Sequence, residues 1–111
     1  MPTAAILFLA QRASACVLAP LVLVHLGLAI YAIHGGLTAA EILGRTQGSF
    51  GWALFYGLFV VAAAVHAPLG LRNVLREWLG WKGPGVDLAL FGFSLVLLAL
   101  GLRAVSAVTG G

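Results

Sequence analysis

The sequence predicts an all-α integral membrane protein with three transmembrane helices, at residues 13–34, 50–72 and 86–107, forming part of a larger helix bundle. Three observations carry this. The 111 residues are 62% hydrophobic and only 8% charged, with a mean hydropathy of +1.10, whereas soluble domains run about 45–50% apolar and about 25% charged. Long uncharged runs recur three times. The breaks between them hold Gly-Gly, Lys-Gly-Pro-Gly and most of the ionisable residues. Six basic and three acidic side chains cannot cover a surface of this size, so lipid must solvate most of the exterior.

The first run, residues 13–34, has no formally charged side chain; at 1.5 Å per residue it reaches about 33 Å, enough to cross the hydrocarbon core. Residues 4–10 are apolar but lack a preceding basic residue, and Arg12 follows them, the reverse of a signal peptide. Ala13-Ser14-Ala15-Cys16 is a faint lipoprotein-like match, but the apolar run continues past it. The single Cys16 excludes an internal disulfide and reads as a small packing residue. Gly35-Gly36 ends the run, and the polar stretch to Gly48 leaves room for a short surface helix at residues 38–43.

The second run closes with Arg72, Arg76, Glu77, Trp78 and Trp81, a mixture suited to the headgroup layer. Lys82-Gly83-Pro84-Gly85 breaks the chain, and the third run has an uncharged centre between Asp87 and Arg103. No internal repeat or heptad is present and the linkers are short, so residues 1–111 read as one three-helix domain. With three spans, Arg12, Arg72, Arg76 and Lys82 share one side and Arg45 and Arg103 the other. The richer side is expected to be cytoplasmic, placing the amino terminus there and the carboxyl terminus in the periplasm. A formal charge of +3, spread over span ends, does not imply nucleic acid.

An ionisable residue inside a span is a functional hypothesis, because lipid cannot solvate it. His66 lies six residues before Arg72, about 9 Å inside the interface, and His25 thirteen residues after Arg12, about 20 Å from the same side. Axial nitrogens on one iron stand only about 4 Å apart, so these two histidines would serve different haems, each completed by another chain. Ala62, Ala63 and Gly70 flank His66 by one turn and leave space for a porphyrin edge; close helix packing explains the same small residues. Pro68 removes a donor beside the carbonyl of Ala64, so a kink is expected. His25 shares a face with Ser14 and reads either as a second ligand or as a hydrogen-bonded packing residue. His34, beside Gly35-Gly36, reads as a solvated structural residue. Arg12 and Arg72 could converge on haem propionates or a quinone carbonyl, or anchor their helices through lipid phosphates. Glu41 and Glu77 read as solvated surface charges.

Two short elements resemble the cytochrome b membrane-anchor subunit of succinate dehydrogenase and fumarate reductase, the succinate:quinone oxidoreductases of complex II. Gln11-Arg12-Ala13-Ser14-Ala15 is similar to the family's His-Arg-x-Ser/Thr-Gly, and His66-Ala67-Pro68-Leu69-Gly70-Leu71-Arg72 to its His-x-x-x-Gly-Ile/Leu-Arg. Gln11 stands where the family has histidine, Ala15 where it has glycine, and Phe8 where many members have a quinone-contacting serine. The resemblance implies that His66 is an axial ligand of haem b iron, with Arg12, Ser14 and Arg72 near the quinone or haem propionates. It also implies that His25 holds a second haem in two-haem members. Implied partners are a flavoprotein subunit, an iron–sulfur subunit, and a second membrane anchor or symmetry mate, in the tricarboxylic acid cycle at a bacterial inner membrane. Catalytic residues for succinate would belong to those partners. The alternatives are a haem b subunit of another respiratory oxidoreductase, or a haem-free structural or assembly protein.

Overall fold

The computed structural model of the chain describes residues 4–110. It contains four helices in chain order: α1, Ala4–His34; α2, Ala39–Thr46; α3, Phe50–Trp78; and α4, Pro84–Thr109. Three of them, α1, α3 and α4, are long and apolar enough to cross a membrane. The expected three-span helical class is therefore observed, with the short surface helix realised as α2.

Both the first and second spans are longer as helices than the uncharged runs suggest. The first helix begins three turns before Ser14, and α3 continues past Arg72 to Trp78. A charge marks where lipid ends, whereas a helix ends where its backbone is broken or capped. Nothing in Ala4-Ala5-Ile6-Leu7-Phe8-Leu9-Ala10-Gln11 disfavours helix. The breaks that do occur have local causes. At the end of α1, Gly36 takes φ 64°; its N–H bonds the carbonyl of Ile33 at 3.2 Å and the N–H of Leu37 that of Ala32 at 3.0 Å, a Schellman closure. Thr38 caps α2: its Oγ1 accepts from the Glu41 N–H at 3.2 Å, and Glu41 Oε1 accepts from the Thr38 N–H at 3.2 Å. This reciprocal box gives Glu41 a defined job at an exposed position. Ser49 caps α3 by accepting from the Trp52 N–H at 3.2 Å, and Pro84 opens α4 where its missing N–H costs nothing.

The second long helix, α3, packs against both α1 and α4, and α2 touches α4. The seam joins the small residues Ala62 and Ala64, with Pro68, on α3 and Ser14 on α1 to Val86 and Leu90 on α4, all of them buried. A Cβ on Gly101 would collide with the side chain of Val60, so α3 and α4 approach as only a glycine allows. The large apolar side chains point outward instead, with Leu23 at 69%, Phe50 at 76% and Leu88 at 73% exposed. Lipid covers them.

Pro68 lies inside α3 without ending it. Proline cannot bond the carbonyl four residues back, and that carbonyl, of Ala64, accepts from Ser94 Oγ of α4 at 2.6 Å. The lost backbone bond is thus replaced by a bond between helices. At the opposite end the Gly48 N–H bonds the Thr109 carbonyl at 2.9 Å and Gln47 Nε2 the Ala107 carbonyl at 3.0 Å. These donors satisfy the orphan carbonyls that terminate α4 and tie the loop after α2 to it.

Candidate functional site

His66 is on α3, half-buried, with its Nδ1 3.3 Å from Ser14 Oγ of α1. Ser14 is buried, and its Oγ–H is placed to donate to the main-chain carbonyl of Gln11 at 3.0 Å. A hydroxyl has one proton and two lone pairs. When that proton goes to Gln11, Ser14 accepts from His66 Nδ1 in the tautomer that leaves Nε2 its lone pair; donation by Ser14 to Nδ1 belongs to the other tautomer. Three residues on two helices thereby bring a hydroxyl and a main-chain carbonyl to one edge of the imidazole.

The contact also fixes depth. Ser14 and His66 are level, and His25 lies eleven residues further along α1, about 16 Å away. The interval read from the flanking arginines is smaller, about 11 Å, because Arg12 does not mark the end of α1. Arg12 is two residues, about 3 Å, outside Ser14, while Arg72 is six residues, about 9 Å, outside His66; Arg12 is the deeper of the two. Its guanidinium lies 5.7 Å from the ring centroid of Phe8, a cation–π stack. Arg72 turns to α4, where its Nε donates to Asp87 Oδ1 at 2.8 Å, the two side chains 20% and 32% exposed. The two arginines share an end of the molecule but engage different partners.

Gly70, one turn after His66, faces α1: a Cβ there would stand 3.4 Å from Gln11 Nε2. Gln11 Oε1 is buried without a hydrogen-bond partner among the described residues. The small residues around His66 thus admit α1 closely, with Ala62 buried and Ala63 half-buried. On the neighbouring face of α3 an apolar cleft of about 690 Å³ opens among Leu7, Val65, Pro68, Leu69 and Phe91, with Arg72 and Asp87 at its wall.

His25 is exposed on α1 and meets α3 through rings, edge-on to Tyr56 at 6.1 Å and to Phe59 at 5.4 Å between centroids. Tyr56 stacks in turn on Trp52. Ser14 and His25 both contact α3, as their common helix face predicts. A second cleft of about 300 Å³ is bounded by His25, Tyr56, Phe59, Gly101 and Val105. His34 is exposed at the end of α1. Among the described residues no three His, Cys, Asp or Glu side chains converge to hold a metal ion. Sequence reasoning missed two partnerships, Arg72 with Asp87 and Ser94 with Ala64. The first has a signal in retrospect: opposite charges flank a tight break between antiparallel helices.

Fold and site together define a three-span helical membrane subunit that presents individual imidazoles at different depths. The chain belongs to the succinate dehydrogenase/fumarate reductase transmembrane subunit family, whose family model matches residues 1–108. It is thus a membrane anchor of that class. No curated protein and no solved structure gives a significant match.

Proposed function

We propose that this chain is the haem b-carrying anchor of a succinate:quinone oxidoreductase, with His66 Nε2 as one axial ligand. The Ser14–His66 contact is the observation that carries the reading. A metal-bound imidazole offers one unprotonated nitrogen and ordinarily donates from the other to a fixed acceptor; Ser14 Oγ, 3.3 Å from Nδ1, is in place to be that acceptor. When bound, haem supplies a one-electron carrier between the iron–sulfur subunit and quinone. The chain contributes position: oxidation of succinate to fumarate releases two electrons and two protons, and reduction of quinone to quinol consumes both.

One chain offers His66 a single ligand, so the second imidazole comes from a second anchor subunit or a symmetry mate. His25, about 16 Å deeper and beside the aromatic cleft, is the ligand for a second haem in the same arrangement. Arg12, exposed and two residues from Ser14, supplies donors to haem propionates or a quinone carbonyl, as do the Nη groups of Arg72, whose Nε is taken by Asp87. The whole forms one three-helix domain in a bacterial inner membrane, with the His66 end cytoplasmic, where flavoprotein and iron–sulfur subunits dock.

A reduced-minus-oxidised visible spectrum of the purified complex tests this. A b-type band is expected, lost for the haem nearer the catalytic subunits in His66→Ala and reduced by one haem in His25→Ala. Full haem stoichiometry in His66→Ala overturns the ligand assignment, and no band in the wild-type complex leaves a haem-free anchor.

A further inference from the structure

We infer that Ser14 is the positioning residue of the axial imidazole: its hydroxyl, clamped by the Gln11 carbonyl, orients His66 and sets how strongly the ring donates to iron. This rests on the haem reading of His66 above. Four features place Ser14 in that role rather than in contact with quinone. It is the only residue of α1 that is buried among those described, so it is not offered to a ligand in the membrane. Its one proton has an acceptor within its own helix, the Gln11 carbonyl at 3.0 Å. Its remaining acceptor capacity faces His66 Nδ1 at 3.3 Å. Finally, the bond joins α1 to α3 across 52 residues of sequence, so the ring angle is held by packing of two rigid elements.

The chemistry of the acceptor matters. A carboxylate in this place would draw the Nδ1 proton strongly and make the ring a better donor, stabilising ferric over ferrous iron. A neutral hydroxyl, itself donating elsewhere, does so weakly. Removing it leaves the ring less electron-donating and free to rotate, so the ferrous state gains and the midpoint potential rises. No proton leaves the imidazole and no atom is transferred.

The test uses the intact complex carrying Ser14→Ala, Ser14→Cys or Ser14→Thr, read by potentiometric titration of the b-type band and by the largest g value of the ferric haem. Ser14→Ala is expected to favour the ferrous state about threefold, roughly 28 mV upward at 59 mV per tenfold for one electron, with a shifted g value. Haem retention should fall by roughly tenfold or more on dilution, as for other lost partners of metal ligands. Ser14→Thr, which keeps the hydroxyl, should return all three towards wild type. Should Ser14→Ala fail to assemble, Ser14→Cys decides, being nearly isosteric with a weak acceptor and expected to move potential and g value in the same direction. An unchanged potential and g value in whichever of these two variants assembles overturns the inference. That outcome, with the band present in wild type and lost in His66→Ala, leaves the haem reading intact; a wild-type complex without the band removes the haem reading itself.

Discussion

Arg72 shows how one residue can answer to two explanations that experiment can separate. Its Nε bonds Asp87 Oδ1 at 2.8 Å with both side chains partly shielded, intermediate between an exposed pair of negligible worth and a fully buried one. Arg72→Ala and Asp87→Ala should each lower the unfolding free energy of the complex by roughly 1–2 kcal/mol, and the double variant by little more than either, since both singles remove the same bond. A functional role for the remaining guanidinium donors adds an asymmetry: Arg72→Ala should also raise the KM for quinone, whereas Asp87→Ala should leave it near wild type. Equal KM changes in both would make the pair a brace only. Gln11 offers a contrast at the same scale. Its buried Oε1 has no partner among the described residues, while its main-chain carbonyl holds Ser14, so the side chain and the backbone of one residue contribute separately to the site.

The elements show why small residues dominate the seam. Lipid and leucine are equally apolar, so helices in a membrane associate by close packing and interhelical hydrogen bonds rather than by hiding apolar surface. Gly101 against Val60 and Ser94 donating to Ala64 at 2.6 Å supply one of each between α3 and α4. Gly101→Ala should destabilise the complex by about 1–3 kcal/mol, a usual cost of overpacking, because Val60 is stiff at χ1 and cannot turn aside cheaply. Val60→Ala combined with it should recover most of the loss in thermal melting, and failure to recover would place the strain in the backbone instead. Ser94→Ala should cost about 1 kcal/mol. The same variant in a Pro68→Ala background should cost less, since the Ala64 carbonyl then regains its own helix donor.

For the whole molecule, the sequence carried the architecture better than the partnerships. Three uncharged runs are a composition signal over some twenty residues each, and α1, α3 and α4 appear where those runs lie. Their ends were less legible because Arg12 and Arg72 report the lipid boundary while Gly36, Thr38 and Ser49 report the helix boundary. Ser14 and His66 could each be singled out, but their contact depends on the relative height of α1 and α3, which no local pattern encodes. Orientation is the remaining global property, and it decides which face of the membrane the His66 end meets. The amino-terminal half of α1, the end of α3 and the α3–α4 loop share one end, while α2 and the end of α4 share the other. In a Cys16→Ser background, Lys82→Cys should resist a membrane-impermeant maleimide added outside intact spheroplasts and react after lysis, whereas Arg45→Cys should react from outside. Charge predicts this sense because Arg72, Arg76 and Lys82 crowd the first end. Labelling in the reverse order would put the His66 end at the outer face and leave His25 and the cleft beside Tyr56 nearer the cytoplasm, so that in the proposed function His25 and not His66 would lie towards the docked subunits.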